Sequence, residues 1–217
     1  DPSLGIDPGN LPSRVARATL AKDRGWWRRA EEDLKEALTI DAEQKHAVHA
    51  LADLRIAQGR LDEARQLVDE LRDIAEPDAI TPEWSTLATK LALEEGRFDA
   101  AHDLLADALR RFPGNQHLVH MNADQWRRRG VTTRTPAYVE DARVHLLALL
   151  RDHPRHIPAL ATLGSVEASL GIATWRERFR SALSILDSRR SRVEDRHLSR
   201  IQTRAAWARA EMEVGEL

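Results

Sequence analysis

Gly25-Trp26-Trp27-Arg28-Arg29-Ala30 returns 34 residues later as Gly59-Arg60-Leu61-Asp62-Glu63-Ala64, and a third time as Gly96-Arg97-Phe98-Asp99-Ala100-Ala101. Each copy runs into an apolar pattern ending in Ala37-Leu38, Leu71 or Ala108-Leu109. Recurrence near this period marks a stack of helix pairs, because one such unit cannot bury its own apolar face and must lean on its neighbours. The stretch therefore reads as part of an all-α solenoid.

Working outward from it, helices are expected near 12–23, 27–40, 44–58, 61–74, 82–95, 98–112, 116–129, 137–152, 157–170, 173–187 and 190–214. Gly25, Gly59, Gly96, Gly130 and Gly171 mark the breaks inside units, since glycine takes the left-handed conformation that ends a helix. Asp41-Ala42, Glu76-Pro77, Pro113-Gly114 and Pro154 mark the breaks between units, where proline stops one segment and opens the next. Units then fall at 11–41, 45–76, 82–113, 116–154 and 157–187, with a partial unit or capping helix over 190–217, all within one domain spanning 1–217. Insertions at Pro77 to Pro82 and at Val131 to Pro136 disturb the period and read as loops. Ala30, Ala64, Ala101 and Ala142 are small enough to let paired helices approach at about 8–10 Å.

The apolar positions carry a family resemblance. The third unit has Trp84, Leu87 and Ala88 on its first helix, then Ala101, Leu105, Ala108 and Pro113 on and after its second. The second unit has Val48, Leu51 and Ala52, then Ala64, Val68 and Leu71. The fifth has Leu160, Leu163 and Gly164, with a weaker second helix around Trp175, Phe179 and Ala182-Leu183. This pattern resembles the tetratricopeptide repeat (TPR) family over nearly the whole chain, the helix around Val15 to Ala21 matching least. The resemblance implies a right-handed α-α superhelix of about five and a half helix-turn-helix units. It also implies that the first helices of the units line a concave groove for a peptide or protein. The Lys and Asn pattern with which some relatives grip a chaperone's terminal carboxylate is not present; the comparable positions hold His49, Asp53, Ser85 and Thr89.

Composition narrows the function classes. Hydrophobic residues make up 42% and charged residues 31% of 217 positions, enough for a continuous core with wetted outer faces. The chain has no cysteine, which removes disulfide, thiolate-metal and thiol redox chemistry. No apolar run reaches the length of a membrane span and Asp1-Pro2-Ser3-Leu4 is no signal peptide, so a cytoplasmic protein is expected. Arginine outnumbers lysine 29 to 4, as in a GC-rich bacterial source. The net charge of -2 is uneven: residues 1–114 hold 16 basic and 23 acidic groups, and residues 115–217 hold 17 and 12. Such halves steer a charged partner, favour head-to-tail self-contact, or are two differently solvated stretches of one scaffold.

The sharpest local pattern is His-x2-His-x3-Asp, present as His46, His49, Asp53 and again as His117, His120, Asp124 at the same repeat register. Its spacing keeps each trio on one helix face. The outer pair of each trio lies about 10.5 Å apart along the helix axis, too far to close on one ion, so neither a metal nor a cofactor is expected. Asp53 and Asp124 each follow a histidine by four residues. Each carboxylate is therefore expected to hold its imidazole protonated, giving a groove whose charge changes between about pH 5 and 7. His153 and His156 flank Pro154 and read as loop.

Arg127 and Arg128 continue the Asp124 face, and Arg192, Arg196, Arg200 and Arg204 recur every four residues. That band is a solvated face, a contact for an acidic protein, or a set of phosphate contacts; Glu194-Asp195 interrupts it and no aromatics interleave. Trp26 shares its register with Arg60, Arg97, Ile172 and Glu216 and is expected at the surface, as an interface anchor or beneath the Leu4–Leu11 segment. Trp27 aligns with Leu61 and Phe98 and is expected in the core. No phosphate loop, Gly-x-Ser-x-Gly or His-Glu-x-x-His is present.

The sequence reading is a non-enzymatic interaction module: a scaffold, sensor or oligomerisation arm. Its groove is expected to use His46, His49, Asp53, Ser85, Thr89, His117, His120, Asp124, Arg127 and Arg128, with Trp26 as a further contact. The alternatives are a nucleic-acid-associated repeat protein and a regulatory domain of an enzyme outside this chain. Gly215-Glu216-Leu217 repeats the register of Gly59-Arg60-Leu61, which suggests a fragment of a longer protein.

Overall fold

A computed structural model describes residues 10–74, 81–188 and 193–215. Those residues form eleven helices and no strand: α1 (Leu11–Asp23), α2 (Trp27–Ile40), α3 (Lys45–Ala57), α4 (Leu61–Ile74), α5 (Pro82–Glu94), α6 (Phe98–Arg111), α7 (Gln116–Thr133), α8 (Pro136–Asp152), α9 (Ile157–Ser169), α10 (Trp175–Ser188) and α11 (Val193–Gly215). None of them is long and apolar enough to cross a membrane. The architecture is an all-α helical repeat, with boundaries within a few residues of those expected except at α7. The expected insertion at Pro77 to Pro82 lies mostly outside the described residues.

Local chemistry starts and stops the helices where the sequence places it. Asn10, Thr81 and Asn115 cap α1, α5 and α7, each side chain accepting from a backbone N–H of the first turn. Pro82, Pro136 and Pro158 sit in the first turns of α5, α8 and α9, where the missing N–H costs nothing. Gly25, Gly59, Gly96 and Gly171 all have φ between 69 and 75°, the left-handed conformation expected of the repeat's internal turn.

Gly130 behaves differently and corrects the sequence reading. The helix α7 runs through it to Thr133, and the left-handed residue is Arg134, at φ 53°. The Thr135 N–H donates to the Gly130 carbonyl at 2.9 Å to close the turn. Residues 131–136 are therefore not a loop; they lengthen α7 and bring in α8. What Gly130 supplies is the lack of a side chain, since a Cβ there would lie 2.5 Å from Val139 Cγ2 of α8.

The chain divides into two compact units with the boundary after Ala108. In the first, α1 pairs with α2 and α3 with α4, and α3 also touches α1 and α5. Ala18, Ala30, Leu34, Ala47 and Leu54 form one core cluster, and Val48, Ala52, Ala64, Leu87 and Leu91 another. In the second unit α7 pairs with α8 and α9 with α10, while α11 lies on α9 and α10. Ala123, Ala142, Leu146, Leu163 and Val166 fill its centre, and Trp175, Phe179 and Ala210 its far end. Ala30, Ala64, Ala101 and Ala142 are fully buried, as close helix pairing requires.

Among the described residues three charged side chains occupy interior positions, and the first, Asp33 of α2, accepts from Arg17 Nε of α1 at 2.8 Å. Arg55 of α3 makes a two-pronged bond to Glu31 of α2, with both N–O distances 2.9 Å. Glu167 of α9 is fully buried against Arg178 and Thr174. Each pair ties a first helix to a second helix where an apolar contact would otherwise stand.

Candidate functional site

Each unit presents one polar face built on its first helices. In the first unit, Asp53 of α3 accepts from Lys90 Nζ of α5 at 2.9 Å and also from Lys22 Nζ of α1. Burial opposes ionisation of this carboxyl, but the two ammonium groups outweigh it and hold Asp53 at about 2. His49 sits half-buried beside it, its Nε2 3.4 Å from the Glu83 carbonyl, and burial lowers its pKa. His46 is exposed one turn earlier.

In the second unit, Asp124 of α7 accepts from Arg127 Nε at 2.8 Å and Arg128 Nε at 2.9 Å. Burial raises the carboxyl pKa and the two guanidinium groups lower it; the guanidinium groups prevail. His120 Nε2 lies 2.9 Å from Thr162 Oγ1 of α9, and its ring lies 5.6 Å from that of His156. Burial is the main cause that pushes His120 down to about 4, with His156, His117 and Arg127 adding to it and Asp124 opposing. His117 is exposed at the start of α7.

The expectation of protonated imidazoles is thus overturned. Both carboxylates are engaged by lysine or arginine, so neither is left to hold a histidine charged, and burial favours the neutral ring at His49 and His120. His156, read from sequence as loop, is the N-cap of α9: its Nδ1 accepts the Ala159 N–H at 3.1 Å, which requires that nitrogen unprotonated. A histidine acting as a cap was missed because Ser, Thr, Asp and Asn are the usual cap signals.

Ser85 and Thr89 are also corrected. Both are buried; the Ser85 hydroxyl donates to the Thr81 carbonyl, and Thr89 is fully enclosed. Neither offers its side chain to a ligand. Trp26 is exposed, at 51%, with the Arg24 guanidinium 5.3 Å from its ring centre. Much of the segment expected to cover it lies outside the described residues. Trp27 is 45% exposed and not in the core. Its counterparts Leu61 and Phe98 are themselves only partly buried, so the register is an edge position, and an indole reaches beyond what covers a leucine there.

A hollow of about 230 Å³ lies between α7, α9 and α11 of the second unit. Ala161, Ser165 and Ser169 of α9 and Ala206 and Ala210 of α11 give it small walls, and Asp124, Arg127, Arg209 and Glu213 give it charged edges. Thr162, the partner of His120, lines it too. The sequence reading found Asp124 and Arg127 but not the small residues, whose signal is only the absence of bulk.

Residues 21–91 match the family model of the tetratricopeptide repeat. That stretch carries tetratricopeptide repeats. The TPR fold extends beyond the matched stretch: a TPR protein from Parabacteroides merdae superposes with a TM-score of 0.66 at 16% identity, over 89% of this chain and 71% of that one. The thermophilic TPR protein TTC0263 of Thermus thermophilus gives 0.62 at 15% identity, over 92% and 100% of the two chains. Yeast Tom70 gives 0.58 at 18% identity, over 97% of this chain and 42% of Tom70. At these identities the likeness is one of fold. No curated protein matches the sequence. TPR stacks in general are protein-interaction modules, which present extended surfaces built from successive repeats.

One member of the C-terminal arginine band, Arg200, and two arginines of α10 are committed within the chain, while Arg204 is exposed. Arg200 pairs with Asp187, Arg176 with Glu211 at 2.7 Å and Arg178 with Glu167 at 3.1 Å. Arg192 and the Arg196 side chain lie outside the described residues. These pairings leave fewer cations for a phosphate backbone than the sequence count suggests.

Proposed function

We propose that the chain is a non-enzymatic interaction module whose second unit receives an extended segment of a protein partner in the hollow between α7, α9 and α11. The observation that carries this reading is the lining: small side chains from two neighbouring first helices leave room for a backbone, and Arg127 and Glu213 stand at its edges. Arg127 is held in place by Asp124, so its guanidinium is oriented before a ligand arrives. The face around His49 and Asp53 serves the first unit in the same manner, with Trp26 as a separate exposed anchor.

Selection from a phage-displayed random peptide library, followed by calorimetry on the selected peptides, tests this. Ser165→Trp fills the hollow and is expected to weaken binding at least tenfold while helicity is unchanged. Undiminished binding by that variant, or a selection that yields no peptide, would overturn the reading.

A further inference from the structure

The turn between α1 and α2 differs from its counterparts in the charge it carries. Every residue from Asp23 to Arg29 is exposed, the indoles of Trp26 and Trp27 among them. The second helices α4, α6 and α10 carry acids in their first turns: Asp62 with Glu63, Asp99 and Glu177. Negative charge there complements the positive end of the helix dipole. The first turn of α2 has no acid and holds Arg28 and Arg29 instead, and its N-cap, Trp26, makes no side-chain cap bond. Arg60 and Arg97, which follow the corresponding glycines, are paired with Glu63 and Glu95. Arg28 comes no nearer than 3.8 Å to Glu32, its side chain almost wholly exposed, and Arg29 has no ion pair among the described residues. Two cations and two indoles thus stand where a helix start disfavours them. Local rules broken without a gain to the fold point to a task at the surface.

We infer that this turn docks the chain on an anionic membrane surface. An indole has an apolar body and a polar edge and settles at headgroup depth, while an arginine fork matches a lipid phosphate. Within the turn Arg24, Arg28 and Arg29 stand against one acid, Asp23, which itself lies 3.6 Å from Lys22. Residues 1–114 as a whole hold 16 basic and 23 acidic groups. An anionic surface therefore attracts the turn and repels the rest of that half, which orients the chain as well as holding it. Single-stranded nucleic acid also takes arginine and stacking rings, but it follows a basic groove over several nucleotides. Here acids follow directly, Glu32 on α2 and Asp62 and Glu63 at the next turn. They oppose a strand that must run on past the turn, whereas a flat surface need touch only the turn itself. A free phosphate would use the arginines and leave the indoles without a role.

Docking of this kind is weak and salt-dependent, since each arginine near the surface strengthens it only about fivefold. Vesicles of phosphatidylcholine with about 30% phosphatidylserine, at low salt, are expected to sediment the chain, and vesicles of phosphatidylcholine alone to leave most of it in solution. Trp26→Ala with Trp27→Ala is expected to abolish sedimentation with helicity unchanged. Arg28→Gln with Arg29→Gln is expected to lower partitioning about 30-fold. Because that change removes cations from a helix N-terminus, the variant should be no less stable to urea than the parent, which separates a docking role from a structural one. No binding to the anionic vesicles, equal binding to the neutral ones, or full binding by either double variant would each overturn the inference. Displacement from the vesicles by an equimolar single-stranded oligonucleotide would overturn it too and give the turn to nucleic acid. A turn covered by another protein gives the first of these results.

Discussion

Acidification should loosen the second unit through His120, and the size of the effect follows from its surroundings. The ring is largely buried between α7 and α9, bonded to Thr162 and close to the ring of His156, and titrates at about 4 in the folded chain. An unfolded chain returns it to an ordinary value near 6.5. Because the folded value is the lower one, the unfolded state takes up the proton first. The stabilisation is complete above about pH 6.5 and is lost as pH falls toward 4. Between pH 7.5 and 5 the loss is about 2 kcal/mol, and His156, also lowered by burial, acts in the same direction. With a urea dependence of about 1–3 kcal/mol per molar, the unfolding midpoint should move by about 1 M. Urea titrations followed by circular dichroism at the two pH values, repeated on His120→Gln, provide the assay. Glutamine stays neutral, so the variant's loss over the same interval should be smaller by about 2 kcal/mol. An identical loss in the variant, or an NMR titration that places His120 near 6.5, would refute the reasoning.

Three further outcomes follow from the interior. Arg178→Ala leaves Glu167 buried without its cation and should cost about 3–5 kcal/mol in chemical denaturation, much of it recovered in the double variant Glu167→Leu with Arg178→Leu. Gly164→Ala puts a Cβ 2.6 Å from the Phe179 ring, which is itself fully buried, and should cost about 1–3 kcal/mol by the same measurement. Asp53→Asn removes a carboxyl whose folded value of about 2 lies below its unfolded one; that stabilisation is present above about pH 4 and lost as pH falls through 2. The variant should therefore be less stable than the parent by about 2 kcal/mol at neutral pH and equal to it near pH 1.5.

The repeat was legible because spacing and residue size carry it. The alanines at 30, 64, 101 and 142 are buried where a close helix pair demands them, and four of the five internal glycines adopt the turn they were read for. Gly130 misled because glycine serves two needs, a left-handed turn and a close approach, and only the position of Val139 decides between them. The candidate site was legible in its place but not in its electrostatics. His120 and Asp124 lie on one face, as their spacing says, yet the charge of the imidazole depends on burial by α9 and on Arg127 and Arg128 reaching the carboxylate. The interior pairs of Arg55 and Glu167 were invisible for a related reason. A single charged residue in an apolar register looks like a break in the pattern until its partner on the next helix is known.

Asp53 has a mechanical meaning as well as an electrostatic one. Its two oxygens hold a lysine on α1 and a lysine on α5, so one side chain on the middle first helix fixes the spacing of three successive first helices. Stretching or bending the first unit along its stack must lengthen one of those bonds while the apolar contacts can still slide. In single-molecule pulling this unit should act as a stiff spring that yields abruptly, and Asp53→Asn should turn it into a soft one that yields by degrees.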